Sequence, residues 1–193
     1  LRLFLAVDLP PPLLRQVAAG MAALEKIVGR GRQLRWVAVE NVHVTLKFLG
    51  EVEERQLDQF STCCAAVEWS SFELKLGGCG CFPSLTRPRV FWQGFAAGID
   101  EMRSLLARIE PCAAGIGVPR EQRPYTPHLT LARVKRPKKP GEGVDFRRLR
   151  EAANDLLPVG ASFPVEEFFL YRSQLAPKGA VYRKLKTFAA RKS

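Results

Sequence analysis

Histidine is almost missing from this chain. Only two occur in 193 residues, His43 and His128. Two imidazoles cannot complete a zinc shell, and neither has an Asp, Glu or Cys at ligand spacing, so no metal is expected. Cysteine is sparse and odd in number: Cys63, Cys64, Cys79, Cys81 and Cys112. No pair has the C-x-x-C spacing of a zinc ribbon or redox site, and reduced thiols are the expectation. No apolar run is long enough to span a bilayer. The stretch Leu1–Asp8 is too short for a leader and is broken at once by Pro10-Pro11-Pro12, so it reads as a first β-strand. Low-complexity segments are lacking. Acidic residues are the minority, 19 against 30 Lys and Arg, giving a formal charge of +11. That excess calls for a polyanionic partner, nucleic acid or an acidic membrane surface. No long basic amphipathic helix points to a membrane. A generic basic soluble protein is the plain alternative.

What is present suffices for a core. Hydrophobic residues make up 47% of the chain, and the length fits one ordinary domain or two small lobes sharing a site. Helical spacing runs over 12–28, 53–68, 98–113 and 145–157. Strand alternation runs over 41–49, 72–76, 89–94, 128–133, 163–174 and 181–189, with a hairpin turn at 176–179. Several strands lie too close together for crossover helices. This predicts an α+β fold of antiparallel sheets with helices to one side. Arg133-Val134-Lys135-Arg136-Pro137-Lys138-Lys139-Pro140 is the densest basic stretch and reads as a loop.

Asn41-Val42-His43-Val44-Thr45-Leu46 and Pro127-His128-Leu129-Thr130-Leu131 are the informative segments. Given a histidine, this composition places Thr at +2 and Leu at +3 roughly once in 250 trials. Here both histidines have them. Residues i and i+2 of a strand share a face, so His43 projects with Thr45 and His128 with Thr130. Either histidine alone could be an ordinary strand residue. Together they offer a proton acceptor and a proton donor near neutral pH, with hydroxyls that can hold oxyanions. That is the equipment for in-line phosphoryl chemistry, and the residues leave the two roles symmetric.

These motifs resemble the two-histidine phosphoesterase superfamily, and within it the RNA 2′,3′-cyclic phosphodiesterases, also called 2′-5′ RNA ligases. The likeness includes Phe4-Leu5-Ala6-Val7, Arg35-Trp36-Val37, His43 to Gly50, Tyr125 to Arg133, Leu170-Tyr171-Arg172-Ser173 and Tyr182. It implies a bilobal fold over 1–193, two antiparallel sheets flanked by helices, with pseudo-twofold symmetry around a central cleft. It implies metal-independent opening of RNA 2′,3′-cyclic phosphate ends to 2′-phosphomonoesters, with 2′-5′ ligation as the reverse reaction and no cofactor. By the same resemblance His43 is the general acid, His128 the base, and Thr45 and Thr130 phosphate holders. Arg133 neutralises the transition state and Phe48 stacks on a base. Two tensions stand against the residues themselves. Alternation puts Arg133 on the strand face opposite Thr130, so a bulge, twist or strand end must bring it round. Alternation also groups Phe48 with core Val44 and Leu46. Tyr171 and Ser173 are further candidates for the cleft. A non-catalytic RNA-binding module, or the same chemistry on small cyclic nucleotides, are the competing readings. A cytoplasmic monomer is expected.

Overall fold

Strand alternation and helical spacing place most elements where the sequence predicts them. A computed structural model describes residues 1–28, 34–135, 143–177 and 179–191. In chain order these form β1 (Arg2–Val7), α1 (Pro11–Val28), β2 (Leu34–Trp36), a 3₁₀ turn (Val39–Asn41), β3 (Val44–Glu51), α2 (Glu54–Ala65) and β4 (Phe72–Phe82). They continue as β5 (Val90–Ala97), α3 (Ile99–Gly115), β6 (Leu129–Val134), α4 (Phe146–Leu156), β7 (Ser162–Val165), β8 (Glu167–Ala176) and β9 (Gly179–Ala189). Asp145 starts α4 by accepting from the Arg147 and Arg148 amides, satisfying two donors that the first helical turn leaves open. Of the basic stretch 133–140, Arg133 and Val134 end β6, and residues 136–140 lie outside the described residues.

The strands run β7-β4-β5-β6-β3-β1-β8-β9, with β2 also on β6, and every named strand pair is antiparallel. Two four-stranded halves meet at the middle of this order, where β3 and β6 pair at Val44↔Leu129. In one half β1 lies between β3 and β8. In the other β5 lies between β6 and β4. Strand–helix–strand–helix order repeats across β1-α1-β3-α2 and β5-α3-β6-α4, the pseudo-twofold arrangement of two lobes.

The run 163–174, read as one strand, is two. It breaks at Glu166, because β7 pairs with β4 in one half and β8 with β1 in the other. Strand β4 continues past Leu76 through Gly77-Gly78-Cys79-Gly80-Cys81. Gly80 is required there: a Cβ would come within 2.5 Å of Trp92 Cζ2, so the indole lies over bare backbone.

The core is shared by both halves. Phe60, Phe91 and Phe168 are fully buried, each contributing about 2–3 kcal/mol of apolar burial. The expectation of reduced thiols is corrected for one pair. Cys63 of α2 and Cys112 of α3 form a disulfide, and Cys64, Cys79 and Cys81 are free and buried. The two partners are 49 residues apart and are brought together only by the packing of α2 on α3, which no local spacing reveals.

Candidate active site

His43 leads into β3 directly after the 3₁₀ turn. Its Nδ1 lies 2.8 Å from the Asn41 carbonyl. A carbonyl only accepts, so Nδ1 carries the proton and donates. Nε2 is then turned toward the Thr45 hydroxyl, 3.0 Å away. His128 repeats the device two residues past Thr126, with Nδ1 2.8 Å from that carbonyl. The same i to i−2 bond therefore fixes the tautomer of both imidazoles.

The Val44↔Leu129 pair sets the motifs against each other. By that antiparallel register His43 comes level with Thr130, and His128 with Thr45. Val44 and Leu129 are fully buried, so the four polar side chains project from the other face. A phenol ties the arrangement together: Tyr125 donates to the Thr45 carbonyl at 2.8 Å, fastening the segment before His128 onto β3. Burial pushes its pKa up.

Beyond each threonine the alternation breaks, and this corrects two sequence expectations. In the β1–β3 register Leu5 faces Lys47 and Ala6 faces Thr45, leaving Leu46 as an extra residue. In the β5–β6 register Phe91 faces Ala132 and Trp92 faces Thr130, leaving Leu131 extra. One inserted residue inverts the sidedness of the residues after it, in β3 as far as a second shift at Leu49. Lys47, which unbroken alternation would set on the face of His43, is instead 7% exposed. Its Nζ lies 3.0 Å from both carboxylate oxygens of Glu110 and 3.1 Å from the Pro119 carbonyl. Phe48, grouped by alternation with the core, is 68% exposed and lines the cleft. Arg133 is brought to the same cleft by the matching bulge.

The cleft encloses about 840 Å³, and its lining includes His43, Thr45, Phe48, Thr130, Arg133 and Ser173. From β6 the lining takes Thr130 and Arg133; His128 does not border this volume. His128 stands one same-face step from Thr130, with the ring of Phe82 edge-on at 4.9 Å and Trp92 at 6.4 Å. It is near enough to His43 for its charge to disfavour protonation there. Tyr171 is absent from the lining. It stacks on Phe4 and donates to Asp8 instead. Phe4 in turn stacks on His43, centroids 4.9 Å apart.

Arg2 and Arg35 add positive charge to the cleft wall, with Glu40 opposing. Arg35 is paired with Arg133 across β2 and β6. Its guanidinium reaches the β8–β9 turn, where a Cβ on Gly179 would stand 3.4 Å from Nη2. Burial lowers the pKa of both histidines, and each histidine's carbonyl partner works against that shift. Lowered pKa values favour the neutral form of both imidazoles at neutral pH, beside the arginines. An incoming phosphate favours protonation of whichever imidazole meets it. Among the described residues no three His, Cys, Asp or Glu side chains gather as metal ligands would. The bonds of Asp8 to Tyr171, of Tyr125 to the Thr45 carbonyl and of Lys47 to Glu110 leave no signal in the sequence, because each joins distant segments.

Known proteins resemble the chain throughout. The pattern of the family described as LigT like phosphoesterase matches residues 7–92 and 96–182, one His-x-Thr motif in each segment. An RNA 2′,3′-cyclic phosphodiesterase of Aeropyrum pernix is 33% identical over 161 residues, covering 83% of this chain and 89% of the relative. A protein of the same name from Thermus thermophilus is 32% identical, covering 99% and 91%. The crystal structure of E. coli LigT complexed with 3′-AMP superimposes with a TM-score of 0.75 at 28% identity, covering 99% of this chain and 98% of that one.

Proposed function

The chain belongs to the LigT-like phosphoesterase family, and from that we propose that it hydrolyses 2′,3′-cyclic phosphate at RNA termini to 2′-phosphomonoesters. The observation that carries the proposal is the matched pair of imidazoles, each fixed by an Nδ1–H bond to the carbonyl two residues back, beside two threonines and Arg133. His128 Nε2 takes a proton from water as the water oxygen attacks phosphorus. The P–O3′ bond breaks, and His43 Nε2 delivers a proton to O3′. Thr45 and Thr130 donate to the non-bridging oxygens, and the Arg133 guanidinium offsets the charge that accumulates there. Phe48, exposed on the cleft wall, offers a flat face to the terminal base. Each residue role is part of the proposal.

No step needs a metal or a cofactor. In 2′-5′ ligation a 5′-hydroxyl takes the place of water: it attacks phosphorus and loses its proton to His128, the P–O3′ bond breaks, and O3′ takes a proton from His43; water's abundance favours hydrolysis. The chain is proposed to work as one bilobal unit over 1–193 and as a monomer. Among the described residues no helix is long and apolar enough to cross a membrane. A cytoplasmic location is also proposed, against the one feature that argues otherwise, the Cys63–Cys112 disulfide, since reducing compartments disfavour such bonds. Small cyclic nucleotides are the second substrate class, because the reacting group is the same.

The test is turnover of RNA ending in 2′,3′-cyclic phosphate, and of the four nucleoside 2′,3′-cyclic phosphates, in excess EDTA. The product's phosphate position is read by ³¹P NMR. A 2′-phosphate at an undiminished rate is expected. A 3′-phosphate, or loss of turnover on chelation, contradicts the proposal.

A further inference from the structure

The two motifs match in tautomer, hydroxyl and bulge, yet the proposed chemistry asks one histidine to give a proton and the other to take one. The structure holds a difference between them. One step past Val7↔Val44 in the β1–β3 register, Asp8 comes level with His43. One step past Gln93↔Leu129 in the β5–β6 register, the corresponding residue beside His128 is Gly94. A carboxylate thus stands where the other half has a hydrogen.

That carboxylate is held in place. Tyr171 donates its phenol to the two oxygens of Asp8 at 2.9 and 2.7 Å. Lys184 Nζ lies 3.0 Å from Oδ2 and rests over the Phe169 ring. The Tyr171 ring stacks on Phe4 at 5.3 Å, and Phe4 stacks on His43. The imidazole and its carboxylate are therefore joined through one aromatic stack.

We propose that Asp8, clamped by Tyr171 and Lys184 level with His43, is a positioning residue that assigns the proton-donating role to His43 rather than to His128. The inference rests on the two-histidine reading above. A negative charge beside one imidazole stabilises its protonated form, leaving the other as the neutral base. The groups around His43 are Asp8 just past the end of β1, Tyr171 from β8, Tyr182 and Lys184 from β9, and His128 from the motif that opens β6. Arg2, Arg35, Arg133 and Glu40 lie along the cleft. On His43 burial disfavours the proton most, the Asn41 carbonyl and then Asp8 favour it, and the charge of His128 opposes it. On His128 the acting groups are burial and the Thr126 carbonyl.

Two substitutions test the idea with opposite signs. Asp8→Asn keeps an acceptor for the Tyr171 hydroxyl and removes the charge. Lys184→Met removes the cation that screens Asp8. The two imidazoles are followed by NMR titration, each assigned with a single histidine variant, and kcat/KM is measured against pH on a nucleoside 2′,3′-cyclic phosphate. In Asp8→Asn, His43 is expected to titrate at lower pH with His128 unmoved. The alkaline limb of the rate profile should follow His43, lowering kcat/KM on that side about two- to fivefold, as one partly exposed neighbouring charge does. Lys184→Met should move both readouts the other way. An unmoved His43, or equal shifts of both histidines, overturns the proposal. So does movement of the acid limb, which would make His43 the base. Failure of the hydrolase reading is separate, visible as wild-type protein without turnover.

Discussion

Phe48 and Arg133 occupy equivalent points of the two halves. Each lies three residues past the threonine of its motif, each follows a bulge at the intervening leucine, and each turns into the same cleft. One supplies an aromatic face, the other a guanidinium. The repeat thus provides two similar supports, and the site differentiates them by what stands at this position.

Substitutions there should separate binding from chemistry. Phe48→Ala is expected to raise KM for a nucleoside 2′,3′-cyclic phosphate about fivefold or more with kcat little changed, since base stacking is worth roughly 1–3 kcal/mol. Arg133→Ala should lower kcat about 10²-fold, the scale of a lost donor to transition-state charge. Steady-state kinetics on both variants checks the split. A kcat defect in Phe48→Ala of the same size as in Arg133→Ala would sink the division of labour.

Lys47 shows what the first bulge costs to keep. Its ammonium and the Glu110 carboxylate are 5% and 11% exposed, so neither has much water to fall back on. Lys47→Ala should destabilise the fold by about 3–5 kcal/mol, because it leaves a buried charge without its partner. Replacing both by Leu and Met should recover most of that. Urea unfolding of the single and double variants makes the comparison; equal losses in both would show that the pair's packing matters rather than its charge.

The histidines and threonines of the site were legible because alternation needs only local spacing. Phe48, Arg133 and Lys47 were not, since a bulge is set by the partner strand: Leu46 and Leu131 look regular until β1 and β5 are laid against them. The resemblance pointed Phe48 and Arg133 toward the cleft while the alternation argued otherwise, and the bulges reconcile the two. The helices over 12–28, 98–113 and 145–157 stand within about two residues of their predicted ends, because their apolar faces repeat every turn. Asp8 beside Tyr171, 163 residues away, and Cys63 beside Cys112 are tertiary facts with no local trace.

The disulfide closes a 49-residue separation, for which loop-closure entropy gives about 4 kcal/mol. Replacing Cys63 and Cys112 by Ser should lower stability by about 2–4 kcal/mol while leaving turnover near wild type, because α2 and α3 carry none of the cleft residues. Thiol titration in denaturant should count three free thiols without reductant and five with it. Five without reductant would show that the bond does not form in the isolated protein.

Burial holds both imidazole pKa values below their ordinary 6.5. In the window between those lowered values and 6.5, the unfolded chain binds more protons than the folded one. Stability from this source therefore rises with pH through that window and is lost as pH falls through it. Tm measured from pH 5 to 8 should fall on the acid side more for wild type than for a His43→Gln/His128→Gln double variant. A steeper acid loss in the double variant contradicts the assigned direction.

Two histidines, unaided by a metal, are proposed to carry the reaction. The most direct test is kcat on an RNA 2′,3′-cyclic phosphate in excess EDTA for wild type, His43→Ala and His128→Ala, with folding verified by circular dichroism. Wild-type turnover is expected to persist under chelation and each variant to fall about 10²- to 10⁴-fold. Near wild-type turnover by either folded variant would contradict that proposal.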